Sequence, residues 1–322
     1  MRKLWITLIG FVIATCSASL AAQTYPDKPI RLIVPQAPGS ATDVFVRHFT
    51  PKWGDVLGQP VVVENRAGAG AIIGTEAVAK SAPDGYTLLL GGSQTHAINK
   101  SLYTKLSYDP ITDFTPVGRI GAQAMLLVTN ASVPAKSVPE FLAYAKGGKG
   151  NLNYASSGNG STAHLAGSLF SAEAGLKAQH VPYKAVAQGL SDLLSGEITM
   201  MFYPYSALQP HIQSGRLTVL AVATEQRASY LPNVPTMTEV GFPSMVLSPW
   251  FALYAPAGTP RAIVDKLYSA LEQTMKDPDV ARRLASTGTD IWLAGPDEMA
   301  RFGASEIARY RKIVELAGAK AD

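Results

Sequence analysis

Short apolar, β-branched runs alternate with helical stretches twice along this chain, and a further strand follows after a proline-rich interval. Such alternation points to parallel sheets in α/β domains, because each strand-to-strand crossing is long enough to hold a helix. The first series predicts a strand over 28–35, a turn over 36–43, a helix over 42–57, and strands over 61–64, 86–90 and 114–120, with a helix over 71–80. The second predicts strands over 124–129, 152–155, 178–181, 198–202 and 217–223, with helices over 138–146, 161–174, 187–194 and 207–214. Residues 231–243 read as a proline-rich loop, 246–254 as a strand, and helices follow Pro260 and Pro296. Two similar units with a return crossing imply two lobes joined by strands and a ligand cleft between them. The expected division is 22–121 with 246–322 for the first lobe and 122–245 for the second.

The N-terminus predicts export. Arg2 and Lys3 precede an apolar run from Leu4 to Ala14, and small residues from Ser17 to Ala22 follow, the order of a secretory signal cleaved near Ala21. Its apolar run is too short to span a bilayer. The single cysteine, Cys16, lies inside this 1–21 segment, so the mature chain holds no thiol; Ile13-Ala14-Thr15-Cys16 loosely resembles a lipid-attachment box with an unfavoured threonine. Loss of Arg2 and Lys3 lowers the formal charge from +4 to +2. With no basic run or basic helix face, no nucleic-acid partner is implied. At 47% hydrophobic and 16% charged residues, the chain is globular rather than disordered.

The stretch Asn153-Tyr154-Ala155-Ser156-Ser157-Gly158-Asn159-Gly160-Ser161-Thr162-Ala163-His164 reads as strand, glycine-rich turn and helix start. Free N–H groups at a helix N-terminus carry partial positive charge, so this pattern suits a phosphate or carboxylate. A plain capped helix with Asn159 or Ser161 as N-cap is the alternative. Gly68-Ala69-Gly70 with Gly74 lacks dinucleotide-fingerprint spacing, and five scattered histidines without a helical His pair give no metal site. His164, in a first helical turn, is expected to shape the turn or satisfy a backbone group. No cofactor is expected.

Several blocks, in order along the mature chain, resemble the periplasmic Bug-type solute receptors of tripartite tricarboxylate transporters. They are Lys28-Pro29-Ile30-Arg31-Leu32-Ile33-Val34-Pro35, Ala37-Pro38-Gly39 with Asp43, Gly58 to Arg66, and Ala82-Pro83-Asp84-Gly85-Tyr86-Thr87-Leu88-Leu89. The series continues with His96-Ala97-Ile98-Asn99, Tyr154-Ala155-Ser156, Gly158-Asn159-Gly160-Ser161, His164-Leu165-Ala166-Gly167, His180-Val181-Pro182-Tyr183-Lys184 and Ala255-Pro256-Ala257-Gly258-Thr259-Pro260. The resemblance implies a type II periplasmic binding protein, or Venus flytrap, with two α/β lobes that close on a small carboxylate without catalysis. Membrane transporter subunits are the implied partners, and a monomer the implied state.

Carried over from that family, one carboxylate jaw is the first-strand turn, with Gln36, Ala37, Gly39, Ser40, Ala41 and Thr42, and the other is Ser157, Asn159, Gly160, Ser161 and Thr162. Asp43 is expected to cap its helix, since a carboxylate facing an anion would repel it. Ser93 and His96 follow the third strand's carboxyl end, where ligands sit in α/β sheets. Two departures bear on the ligand. Tyr203 stands where the family commonly has aspartate, and Gln36 where it usually has phenylalanine. Tyr203 adds an aromatic wall and removes an acid that would hold an ammonium group, so amino acids become poor candidates. A rigid aromatic dicarboxylate such as a phthalate isomer suits two opposed jaws; an aliphatic di- or tricarboxylate suits them too. A sensor's soluble partner shares this chemistry, and an exported hydrolase using a serine of Ser156-Ser157-Gly158 is the reading of a different class.

Overall fold

The computed structural model describes residues 25–148, 152–183, 186–224, 226–228 and 230–320. The export segment 1–21, Cys16 included, lies outside the described residues. In chain order the strands are β1 (Ile30–Val34), β2 (Val61–Asn65), β3 (Thr87–Gly92), β4 (Phe114–Gln123), β5 (Met125–Asn130), β6 (Asn153–Ser156), β7 (Gln179–Pro182), β8 (Met200–Pro204), β9 (Leu217–Val222), β10 (Trp250–Pro256) and β11 (Thr289–Ala294). The helices are α1 (Ala41–Arg47), α2 (Thr50–Leu57), α3 (Ile72–Ala79), α4 (Asn99–Leu102), α5 (Val138–Lys146), α6 (Thr162–Glu173), α7 (Val186–Ser195), α8 (Tyr205–Gln213), α9 (Arg261–Met275), α10 (Pro278–Ser286) and α11 (Pro296–Ala317).

Two sheets result, ordered β11-β4-β10-β3-β1-β2 and β7-β6-β8-β5-β9. Among the strands named above, parallel pairing joins β1 with β2 and β3, and β6 with β7 and β8. The expectation of parallel sheets therefore holds only in part. β4 leads out of the first sheet and β10 brings the chain back, so β10 lies antiparallel to both β3 and β4. β5, which begins directly after that exit, is antiparallel to β8 and β9.

Local chemistry explains where other expectations shift. The helix expected over 42–57 divides into α1 and α2, because Pro51 in the first turn of α2 has no N–H to give a preceding turn. Gly58 ends α2 in the left-handed conformation, with φ 75°. Between the helices that follow Pro260 and Pro296 the chain inserts α10 and β11. Pro278 opens α10, and the Asp277 side chain caps it by accepting from the Asp279 and Val280 N–H groups.

All seven residues of β10 are buried, as befits a strand covered on both faces. Phe251, Leu253 and Ala255 enter one apolar cluster, with Phe45, Trp53, Leu267 and Leu271. Trp250, Ala252 and Tyr254 enter another that continues through Met125, Phe141, Phe170 and Phe202 of the second sheet's region. The 22-residue α11 contributes Met299, Ile307, Tyr310, Ile313 and Val314 to that continuous cluster and packs on β4, α4 and α6. Leu253, fully buried between β3 and β4, tests how far the sheet depends on its return strand. Leu253→Ala is expected to cost about 2–5 kcal/mol, read as a lower urea midpoint.

Candidate functional site

The first-strand turn is built by a carboxylate that faces away from the cleft. Ser40 caps α1, its Oγ accepting the Asp43 N–H at 3.2 Å, and Asp43 Oδ2 in return accepts the Gly39 N–H at 2.9 Å. Asp43 Oδ1 takes Arg47 Nε and Asn65 Nδ2, each at 3.0 Å, and the same Asn65 amide donates to the Gln36 carbonyl at 3.1 Å. Burial alone would raise the Asp43 pKa, but the bonds from Arg47, Gly39 and Asn65 outweigh it and hold the carboxyl below its ordinary value. Ser40 rather than Asp43 is therefore the N-cap, and Asp43 instead ties the turn together in front of the helix. The turn thus presents Ser40, Ala41 and Thr42 in a fixed arc, and the first-turn N–H groups of α1 have no intrahelical acceptor.

The second turn is built by histidines. Ser161 caps α6, its Oγ accepting the His164 N–H at 3.2 Å and donating to the Gly158 carbonyl at 2.8 Å. His164 Nδ1 accepts the Gly160 N–H at 3.0 Å, the backbone-satisfying role expected of it. The His180 ring stacks on that of His164 at 4.0 Å, and its Nε2 lies 2.6 Å from Ser156 Oγ. Burial, with His164 beside it, lowers the His180 pKa to about 4, and burial lowers that of His164 as well. Both rings are therefore neutral at pH 7, and the turn offers dipoles rather than a full charge. Gly160 has φ 74°, a conformation that favours glycine, and a Cβ there would stand 1.8 Å from Leu102 Cδ2 on α4, so a side chain would force Leu102 to move.

Between the turns lies a cavity of about 200 Å³. Its walls bring together Gln36, Ser40, Ala41, Thr42, Ser93, Ser157, Ser161, Thr162 and Tyr203 from the sequence reading. Apolar lining comes from Leu90, Met125, Ala163, Val186, Pro204, Pro249 and Phe251. Among the described residues no Asp, Glu, Lys, Arg or His lines it. Tyr203 is mostly buried, and burial pushes its pKa up to about 12, so its hydroxyl stays protonated.

Five expected site residues stand elsewhere. His96 is buried in the first lobe, stacked on Tyr254 at 3.6 Å, with Nδ1 2.9 Å from Thr95 Oγ1; the helical turn Gln94–Ile98 rotates it into the core. Asn159 points outward to solvent, and Ala37 is exposed beside the turn. Gly39 and Gly160 spend their N–H groups on Asp43 and His164. Sequence reasoning missed Gln94, Thr95 and Gln123, which line the cavity. Gln123 is the one with a legible signal, a polar residue at the junction of two apolar strand runs; it is buried and donates to Thr289 Oγ1 at 3.2 Å. Of the two serines of the hydrolase reading, Ser156 is fully buried and does not line the cavity, whereas Ser157 does.

Because the folded-state pKa of Asp43 is depressed, its contribution is present above its unfolded value and is lost as pH falls through the folded one. Asp43→Asn is expected to destabilise the protein by about 1–3 kcal/mol at pH 7. In denaturant unfolding at a series of pH values, the gap to the unsubstituted protein should shrink below about pH 4.

Comparison with known proteins places this architecture. Protein BugT of Bordetella pertussis is 40% identical over 318 residues, covering 98% of each chain. The solved structure of the periplasmic binding protein BugD is similar with a TM-score of 0.83 and 31% identity, covering 92% of this chain and 99% of that one. Rpa4515 of R. palustris, solved with adipate, is similar with a TM-score of 0.85 and 34% identity, over 92% and 99% of the two chains. The fold is thus that of two-lobed periplasmic binding proteins. Residues 46–319 match the TctC family, described as the tripartite tricarboxylate transporter family receptor, and the chain belongs to that family.

Proposed function

We propose that this receptor captures a small dicarboxylate with a hydrocarbon middle, flat and aromatic as in a phthalate isomer or extended as in adipate. The observation that carries the reading is the pairing of two neutral donor turns across one apolar cavity free, among the described residues, of charged side chains. A carboxylate gains roughly 1.5–3 kcal/mol from each well-made charge-assisted bond, and waters can complete its shell. An ammonium group would find no counter-charge there and would stay desolvated at a cost. Tyr203 sets an aromatic ring and a protonated hydroxyl in the cavity wall. The adipate bound to Rpa4515 supports the reading, since that ligand has two carboxylates and an unsubstituted chain.

Under this proposal the ligand contacts are Gln36, Ser40, Ala41, Thr42, Ser93, Ser157, Ser161, Thr162 and Tyr203. The lobes divide as 22–121 with 246–322 and 122–245. A monomer, exported to the periplasm through segment 1–21, closes on the solute and passes it to membrane subunits of a tripartite tricarboxylate transporter. Catalysis has no part in this role.

A thermal-shift panel of phthalate isomers, adipate, succinate, citrate, malate and aspartate tests the ligand class. At a ligand concentration 100 times Kd, a true ligand should raise Tm by about 3 °C or more. Aspartate should give no shift; a panel with no response at all removes the reading's main support. Calorimetric titration tests the wall residue. Tyr203→Asp is expected to weaken the best dicarboxylate by about tenfold or more, through repulsion and the lost ring; unchanged affinity would place Tyr203 outside the site.

A further inference from the structure

The return crossing from the second lobe, residues 246–250, is tied at both ends to one turn of α11. Arg309 donates to the Val246 carbonyl and to both Glu306 oxygens, at 3.0 and 3.2 Å for the latter. Glu306 in turn accepts the indole N–H of Trp250 at 2.9 Å. The middle of the crossing faces the other lobe. Leu247 N–H and Ser248 Oγ both donate to the Ala223 carbonyl just beyond β9, at 3.1 and 3.2 Å. The outgoing crossing is stitched to it, with Gln123 N–H donating to the Pro249 carbonyl at 3.0 Å.

Glu306 is 5% exposed and Trp250 2%, and Trp250 lines the cavity. A buried carboxylate costs free energy that its partners only roughly repay, and well-packed hydrocarbon would hold a helix against a sheet as firmly. What an acid adds is direction. It fixes the indole N–H at one end of the crossing and, through Arg309, the carbonyl at the other. Phe302, one helical turn earlier, meets the same indole edge to face at 5.3 Å and 72°.

We propose that Glu306, with Arg309, is a positioning residue of the receptor: it clamps the return crossing to α11, so that Trp250 keeps its place at the cavity wall as the lobes close. The consequence for binding rests on the carboxylate-receptor reading; the clamp itself does not.

The test measures hydrogen exchange of the Trp250 indole N–H by NMR, its resonance assigned by its loss in Trp250→Phe, together with calorimetric affinity for the best ligand of the panel above. Exchange is expected to be slow in the unsubstituted protein and in Glu306→Gln, which keeps an acceptor, and at least about tenfold faster in Glu306→Leu. Glu306→Leu should also weaken ligand binding by about fivefold or more, and Trp250→Phe with Glu306→Leu should bind no worse than Trp250→Phe alone. Unchanged indole exchange in a natively folded Glu306→Leu overturns the clamp. Faster exchange with unchanged affinity overturns its role at the cavity. Should Glu306→Leu fail to fold, Trp250→Phe, which leaves the Glu306–Arg309 pair intact, must show the affinity loss by itself, and normal binding by that variant overturns the proposal. If the unsubstituted protein binds none of the acids, the receptor reading fails and the clamp's role in binding with it, whereas the indole exchange still reports whether the clamp exists.

Discussion

Everything in this structure depends on β10 arriving between β3 and β4. Those two strands pair with β10 rather than with each other, so the first sheet is not closed until the chain has made the second lobe and returned. Bringing together partners so distant in sequence costs loop-closure entropy before the pairing repays it. The repayment is large, since every residue of β10 is buried and its two faces feed separate apolar clusters. The same threading leaves two crossings side by side, with the Gln123 N–H donating to the Pro249 carbonyl.

Among the described residues, the cavity walls carry dipoles and no charged side chain. Ionic groups do stand nearby, but they are spent on architecture: Asp43 and Arg47 shape one turn, and Glu306 and Arg309 hold one crossing. His164 and His180 are kept neutral by burial beneath the other turn. A site of N–H and O–H donors in an apolar shell binds an anion without a fixed cation, as a helix terminus does, and its selectivity passes to the shape of the apolar lining.

Much of the fold was legible because strand and helix periods differ and because turns carry glycine and proline. The strands at 30–34, 61–65, 153–156 and 217–222 fall within a few residues of their expected places. Pairing direction was not legible, since alternation says that a helix intervenes but not that the chain will leave one sheet and re-enter it reversed. At the site, the second turn with its helix start could be read from its local pattern, whereas the residues of the first turn came from the family resemblance. His96 could not, because its five-residue turn is an irregular one whose rotation buries the ring against Tyr254. Nor could the partners of Asp43, for Asn65 lies 22 positions away and meets it only because β1 and β2 pair in register. Gly160 shows the limit well: its positive φ is guessable from the sequence, whereas the neighbouring Leu102 that a side chain would displace is a tertiary fact.

That glycine also fixes how closely the second turn approaches α4. Its backbone rests on the buried Leu102 side chain of α4, so a single carbon added there would force that side chain and the turn apart. A substitution at position 160 therefore alters the spacing between the second turn and α4 while leaving the residues that line the cavity chemically unchanged.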